Sequence, residues 1–307
     1  MPLRDKALPA AAIALGVGLL AGCVPGYLEP PPDPRVTVTG APEPSAARPL
    51  TELRADNRSR HVADRFPERP TVLDDPSGTA SSELFFSSSV TVIVAAAEAA
   101  PQLRAASLAV FTHAPLLTYT PETHTEVVNE IARLGASRVL TVGQVGLAAS
   151  VGETTVIRDP GTLSALGELT AHQFTEVVVA EPADMVQAVA NLDGVTPVAL
   201  TAGWEEMTRE QAADLPAFPI ASRRDAQQGP LVVATPAAQV AAVANARSFG
   251  ADVRVVPDAD PRATERGLAA MVGMADRPLI ALGDEFVSGP ALSRAIQEAE
   301  AAAQEKP

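Results

Sequence analysis

Apolar residues between Thr91 and Gly143 recur with two different periods. Short apolar runs predict strands, and the longer stretches between them, where apolar residues return every three or four positions, predict helices. Strands of this length joined by helices must run in the same direction, so the segment predicts a βαβαβ unit with a parallel sheet. The predicted strands are Thr91–Ala95, Pro115–Tyr119 and Arg138–Val142, and the predicted helices are Ala100–Thr112 and Glu122–Leu134.

The second predicted helix has the clearest pattern. We expect Thr120 to cap it, Pro121 to occupy its first position and Gly135 to end it. The apolar stripe consists of Val127, Val128, Ile131 and Leu134, and the residues expected outside the stripe are Glu126, Glu130 and Arg133.

Two later segments, Thr154–Gly203 and Pro230–Gly283, repeat this order of apolar runs and end in similar strings. The strings are LTVGQ, LTAGW and IALGDE, and their closing strands would be equivalent. Periods of about 60 to 80 residues are long for a solenoid and favour tandem copies of a small module. Chance similarity between Ala- and Val-rich segments is the alternative. The predicted fold class is therefore α/β, with three tandem Rossmann-like βαβαβ units and parallel sheets.

The first residues of the chain predict an export signal. Arg4 and Lys6 precede an apolar run, Ala7–Leu20, that is short for a membrane span. The next residues, Leu20–Cys23, resemble the lipobox of bacterial lipoproteins, which implies cleavage before Cys23 and lipid on its sulfur. An ordinary secretory signal is the alternative. Cys23 is the only cysteine, so the exported part would hold together without disulfides.

A proline-rich segment follows the cysteine. Val24–Pro49 contains eight of the 28 prolines and few bulky apolar residues, which predicts an extended tether rather than a core. The predicted organisation is a signal peptide (1–22), a lipidated and flexible tether (23–60), repeat units at 61–151, 152–228 and 229–297, and a charged tail (298–307).

Charge and motif content exclude several classes of function. The net charge is −14, which argues against a nucleic-acid partner. The four histidines lack metal-ligand spacing, and no Gly-rich phosphate loop or GxSxG elbow occurs. We therefore expect no metal and no cofactor. Carboxylate pairs at Asp258 with Asp260 and at Asp284 with Glu285 are the only candidates for acid–base catalysis, and we expect a noncatalytic protein.

Ligands of parallel α/β sheets usually contact the loops at the carboxyl ends of the strands. The residues predicted there are polar and mostly acidic, and they include the only tryptophan. Carboxylates bind sugar hydroxyls and an indole stacks on sugar C–H groups, so this mixture suits a carbohydrate. Helix capping is the alternative role for each carboxylate. The ligand-binding candidates are Thr118, Tyr119, Gln144, Trp204, Glu205, Asp258, Asp284 and Glu285.

The segments Ala105–Ala109, Ala114–Thr118, Val128–Gly135 and Val139–Gly143 resemble the cell wall-binding repeat 2 family. Repeats of that family run from an Ala-rich helix through a strand and a second helix to a strand that ends in paired glycines, three in a row. The resemblance implies compact Rossmann-like modules that attach exported proteins to anionic cell-wall polymers. This chain departs from the family at Pro101, where the family has Asp, near Ser81 and Ser82, where it has Arg-Tyr, and at Gln144, where it has a second closing glycine.

These observations together predict a protein anchored by lipid on Cys23 to the extracytoplasmic face of the cell membrane. We expect a binding or envelope-organising module with a cell-wall polymer or glycan as partner. A solute- or sugar-binding lipoprotein is the first alternative, and an enzyme that acts on cell-wall glycan is the second.

Overall fold

The computed structural model describes residues 48–148, 154–209, 215–221 and 228–305, together with the backbone of two short strands at 36–38 and 150–151. The predicted signal peptide, Cys23 and most of the predicted tether lie outside the described residues. None of the described helices is long and apolar enough to cross a membrane.

Helices and parallel strands alternate through the described residues, which confirms the predicted α/β class. Two short 3₁₀ turns, Pro182–Asp184 and Asp284–Phe286, lie between these elements. In chain order the elements are β1 (Val36–Val38), α1 (Leu50–Arg58), β2 (Thr71–Leu73), α2 (Thr79–Phe85), β3 (Thr91–Ala96), α3 (Ala99–Thr112), β4 (Leu116–Tyr119), α4 (His124–Leu134), β5 (Arg138–Val142), β6 (Ser150–Val151), β7 (Thr154–Arg158), α5 (Leu163–Thr170), β8 (Thr175–Val179), α6 (Met185–Ala190), β9 (Val198–Ala202), β10 (Leu231–Ala234), α7 (Val240–Phe249), β11 (Asp252–Val255), α8 (Glu265–Met271), β12 (Leu279–Leu282) and α9 (Gly289–Gln304).

The first sheet has the strand order β4-β3-β5-β7-β6, in which all strands are parallel except the short β6. All six residues of β3 are buried, as expected for a parallel strand covered by helices on both faces. The five elements predicted between Thr91 and Val142 are present, with ends that differ by no more than a residue or two from the predicted ones. This segment is therefore the βαβαβ unit that its periodicity predicted.

The third sheet has the order β11-β10-β12-β2 and is wholly parallel. Its strand β12 lies between β10 and β2, just as β5 lies between β3 and β7. The glycines that follow these two strands, Gly143 and Gly283, both have positive φ, at +78° and +116°. The closing strands of the first and third segments therefore occupy similar positions.

The second sheet, with the order β1-β8-β9, does not follow this pattern. β9 lies at the end of its sheet, and Gly203 after it has no positive φ. β7, predicted as the first strand of the second unit, pairs with β5 in the first sheet, and β2, assigned to the first unit, pairs with β12 in the third. The predicted equivalence of the three closing strands is therefore wrong, and three self-contained repeats are not confirmed. An apolar run marks a strand, but tertiary packing chooses the sheet that it joins.

Helix α4 shows where local patterns succeed and fail. Gly135 ends it in a left-handed conformation, as predicted, but the N-cap is Thr123, because Thr120 and Thr123 hydrogen-bond to each other in a turn before the helix. Glu130, expected outside the apolar stripe, is buried. It lies three residues after Val127 and therefore on the same helix face. Its carboxylate accepts hydrogen bonds of 2.6 and 2.7 Å from Arg133.

Three helices from different segments meet in the interior, where α7 packs against α3 and α6, and α3 also contacts α6. Small side chains allow this approach, since α3 and α7 are rich in buried alanine. The three sheets thus share one core, in which Phe66, Phe85 and Phe249 form an aromatic cluster with ring centroids 5.5 to 5.8 Å apart.

Both ends of the folded region extend beyond their predicted limits. Leu50 and Leu53 of α1 lie in the predicted tether, yet they pack against α8 and α9. Asn57 is buried and donates to the Val272 carbonyl oxygen at 2.9 Å. Helix α9 continues to Gln304 through the predicted tail, where Glu300 is buried and pairs with Arg54 at 2.6 Å.

Candidate functional site

The carboxyl edge of the first sheet carries three of the predicted ligand-binding residues. Thr118 and Tyr119 end β4, and Gln144 follows β5 by two residues. Thr118 is buried, and its N–H donates to the Ser77 carbonyl oxygen at 2.7 Å. Its role at this edge is therefore structural. Gln144 is exposed and Tyr119 is half-buried, so these two side chains face solvent at the edge.

Tyr119 links the end of β4 to the loop after β5. Its hydroxyl lies 3.4 Å from His124 Nδ1 and 3.5 Å from the Gly146 carbonyl oxygen, and its ring meets the His124 ring edge to face. A Cβ on Gly146 would lie 2.6 Å from the Tyr119 hydroxyl. His124 is exposed in the first turn of α4.

The loop after β9 brings two further candidates to the same edge. The Glu205 carboxylate accepts a hydrogen bond from the Ala100 N–H at 3.0 Å, in the first turn of α3. Trp204, beside it, is 38% exposed. Because Ala96 pairs with Tyr119 across the sheet and Gly143 packs against Pro101, all these loops meet at the start of α3. We call Tyr119, Gln144, Trp204 and Glu205 the α3 edge surface.

The N-terminus of α3 already has an anionic partner. In Rossmann-like proteins the free N–H groups at such a position bind phosphate. Here the Glu205 carboxylate takes the Ala100 N–H, and Pro101 has no N–H to offer. The protein's own carboxylate thus fills the place where a phosphate would sit, and Glu205 acts as a bridge between two sheets.

The remaining candidates lie at the carboxyl edge of the third sheet. Asp284 and Glu285 are exposed directly after β12, and Glu285 accepts a hydrogen bond from Thr235 Oγ1 at 3.1 Å. Asp258 accepts from the Asp260 N–H at 2.8 Å within a turn. Among the described contacts, no hydrogen bond joins these residues to the α3 edge surface.

One member of the carboxylate pair at Asp258 and Asp260 is held by an arginine. Asp260 is bonded by the Arg262 guanidinium at 2.8 to 3.1 Å, and these hydrogen bonds lower the pKa of Asp260. A carboxyl that stays ionised cannot serve as a general acid. Within the described part of the chain, no three His, Cys, Asp or Glu side chains converge as metal ligands.

A buried ion pair that the sequence analysis does not predict joins α3 to the segment after β7. Arg104 of α3 donates to both carboxylate oxygens of Asp159, at 2.5 and 2.9 Å, and to the Thr162 carbonyl oxygen at 2.7 Å. Both side chains are almost fully buried. The signal was the single charged residue of an Ala-rich helix, since a buried charge requires a partner.

Comparison with known proteins gives little further information. No family model matches the chain, and no curated protein matches it. Among solved structures, the chain is similar to the protein described as "Crystal structure of CmiS6", with 15% identity and a TM-score of 0.21 over 77% of this chain. The chain spans about 60% of the length of CmiS6. A TM-score this low carries no argument about fold or function.

Proposed function

We propose that this protein is a noncatalytic binding module, held by lipid on Cys23 at the extracytoplasmic face of the membrane, and that the α3 edge surface binds a cell-wall polymer or glycan. The observation that carries the binding role is the hydrogen bond between Glu205 and the Ala100 N–H. It fixes the loop of the exposed Trp204 onto the edge that presents Tyr119 and Gln144. Aromatic side chains on fixed loops suit recognition of an extended ligand.

The form of the surface favours binding over cofactor chemistry. The start of α3 is closed by Glu205 and Pro101, so a nucleotide phosphate would have to displace a carboxylate there. Trp204 presents part of its indole, and the exposed Gln144 supplies an amide donor and acceptor to the same α3 edge surface. A ring face with adjacent polar groups matches the alternating C–H and hydroxyl groups of a sugar.

The anchor is proposed from the sequence. Leu20–Cys23 resembles a lipobox, and a Pro-rich segment separates Cys23 from the folded region, which begins no later than α1. The resemblance to the cell wall-binding repeat 2 family supports an anionic wall polymer as the partner. A protein of net charge −14 would be repelled by such a polymer, so we expect a divalent cation to bridge the two.

The test is a pull-down of the full-length protein, purified in detergent, with purified cell wall in calcium or in chelator. We expect binding in calcium that falls on chelation. Trp204→Ala should weaken binding about fivefold, the value of one lost aromatic contact. Ile220→Ala is the matched control, because Ile220 is 41% exposed and lies outside the α3 edge surface.

Four outcomes would contradict the proposal. If wild type fails to bind wall under both conditions, or if Ile220→Ala loses as much binding as Trp204→Ala, the α3 edge surface is not a wall-binding site. Thermal stabilisation by a soluble sugar without wall binding would favour a solute-binding lipoprotein. Turnover of labelled glycan that is lost on Asp284→Asn would favour an enzyme.

A further inference from the structure

We propose that a cleft at the amino edge of the third sheet binds a phosphate group, either a monoester or a diester. The cleft has a volume of about 310 Å³ and lies between the start of β2 and helix α9. Arg69 and Arg294 both line it, and Gln297 lies one turn after Arg294 on the same helix. None of these residues belongs to the α3 edge surface, so the proposal is independent of the function proposed above.

The two arginines line one cleft because the start of α9 lies close to the chain that enters β2. A Cβ on Gly289 would overlap the Pro70 carbonyl oxygen, so only glycine lets the first turn of α9 lie against the chain entering β2. Arg69 immediately precedes Pro70, and Arg294 lies further along α9. Ser293 donates its hydroxyl to the Ala275 carbonyl oxygen, which holds the helix against the loop before β12. The cleft is therefore a fixed feature of the fold.

The charged residues that line the cleft are both cations. The chain has 37 acidic and 23 basic residues, and arginines such as Arg54, Arg104 and Arg262 are paired with carboxylates. Within the described residues, neither Arg69 nor Arg294 has an ion pair or an acceptor for its guanidinium, and no carboxylate lines the cleft. Attraction between exposed charges falls off within about 8 Å at physiological salt, so the two cations of the lining act on an anion inside the cleft although the net charge is −14.

The chemistry of the lining selects the kind of anion. Guanidinium groups bind phosphate through two parallel N–H···O bonds, and two of them with an amide can satisfy several oxygens of one phosphate. A volume of about 310 Å³ is at the small end of ligand sites, which fits one phosphate with a small substituent and not a dinucleotide. A glycerol phosphate unit and a phospholipid headgroup share this chemistry.

The experiment titrates inorganic phosphate into the full-length protein at constant ionic strength set by chloride, with the thermal unfolding midpoint as readout. We expect a saturable rise for wild type. Arg69→Gln and Arg294→Gln should each weaken the apparent affinity for phosphate about tenfold. Arg294→Lys should weaken it less, because lysine keeps the positive charge and loses only the paired N–H donors of the guanidinium. Arg266→Gln is the control, since Arg266 is exposed, equally without a partner among the described residues, and outside the cleft.

Two further titrations identify the source of the phosphate, one with sn-glycerol 3-phosphate and one with phosphatidylglycerol vesicles. The source is the compound that raises the unfolding midpoint of wild type but not that of the cleft variants. The proposal is overturned if phosphate acts no differently from chloride on wild type. It is also overturned if Arg266→Gln loses the response to the same extent as the cleft variants. Urea midpoints equal to wild type in all four variants show that folding is intact.

Discussion

The side chain of Asn245 hydrogen-bonds to both backbone groups of Leu116. Its Oδ1 accepts from the Leu116 N–H at 2.6 Å, and its Nδ2 lies 2.9 Å from the Leu116 carbonyl oxygen. Leu116 begins β4, the edge strand of the first sheet, whereas Asn245 is on α7 beside the third sheet. The side-chain amide thus makes the hydrogen bonds that a neighbouring strand would make with Leu116. Its Nδ2 also donates to the Gly78 carbonyl oxygen at 2.9 Å.

Asn245→Ala should destabilise the protein by about 3 kcal/mol or more, because it leaves buried N–H and C=O groups of the edge strand without partners. Asn129→Ala, at an exposed position on α4, should change stability by less than about 0.5 kcal/mol. Urea unfolding followed by circular dichroism measures both. Equal midpoints for the two variants would show that Asn245 does not hold the edge strand.

Removing one partner of the buried ion pair between Arg104 and Asp159 should strongly lower the free energy of unfolding. Arg104→Met leaves the Asp159 carboxylate buried and unpaired, which should cost about 3 to 5 kcal/mol. Arg262→Gln, which breaks exposed ion pairs with Asp260 and Glu298, should lower the urea midpoint far less than Arg104→Met. The double variant Arg104→Met, Asp159→Leu should be more stable than Arg104→Met alone, since it removes the stranded charge. Urea midpoints that fall further in the double variant would contradict this account.

Asp75 should make stability depend on pH. Burial raises the pKa of Asp75, although its carboxylate accepts hydrogen bonds from the Ala80 and Ser81 N–H groups. Between its usual pKa near 4 and the raised value, the folded state holds a proton that the unfolded state has lost. The free energy of unfolding should therefore fall as pH rises through this window. Asp75→Asn should flatten this part of the curve, and an unchanged slope would contradict the assignment.

Alanine substitutions at Gly143 and Gly135 distinguish the cost of backbone strain from the cost of a steric clash. Both have positive φ, but a Cβ on Gly143 would lie 2.8 Å from Pro101 Cγ, whereas a Cβ on Gly135 would meet nothing within 4 Å. Gly135→Ala should cost about 1 kcal/mol, from left-handed backbone alone. Gly143→Ala should cost more, and Gly143→Val more again, because β-branched residues resist this conformation. Equal unfolding midpoints for the two alanine variants would show that the contact with Pro101 relaxes freely.

Cys23→Ser tests the proposed anchor. The variant cannot carry a thioether-linked lipid, so it should leave the membrane fraction and accumulate as uncleaved precursor or in the medium. Cell fractionation and intact mass measure this. A variant with the same fractionation and the same mass as wild type, apart from the substitution, would rule out lipidation at Cys23.

Local patterns in the sequence determined the elements of this fold. The period of apolar residues located β3, α3, β4, α4 and β5, because burial of one helix face or of a whole strand depends on spacing along the chain. Gly135 ended α4 as expected, because a left-handed C-cap is a property of a single residue and its neighbours. The α/β class with parallel sheets follows from these local signals.

Contacts between distant segments decided which strands share a sheet and which side chains meet at the candidate sites. β7 and β2 carry ordinary strand patterns, and only packing placed them in the first and third sheets beside strands of other segments. Glu205 contacts the start of α3 across 105 residues of sequence. Arg69 and Arg294 line one cleft because Gly289 allows α9 to approach Pro70. A sequence shows which residues need a partner, such as a charge inside an apolar helix. The partner itself is chosen by the packing of the whole chain, since hydrogen bonds and ion pairs act only between atoms in contact.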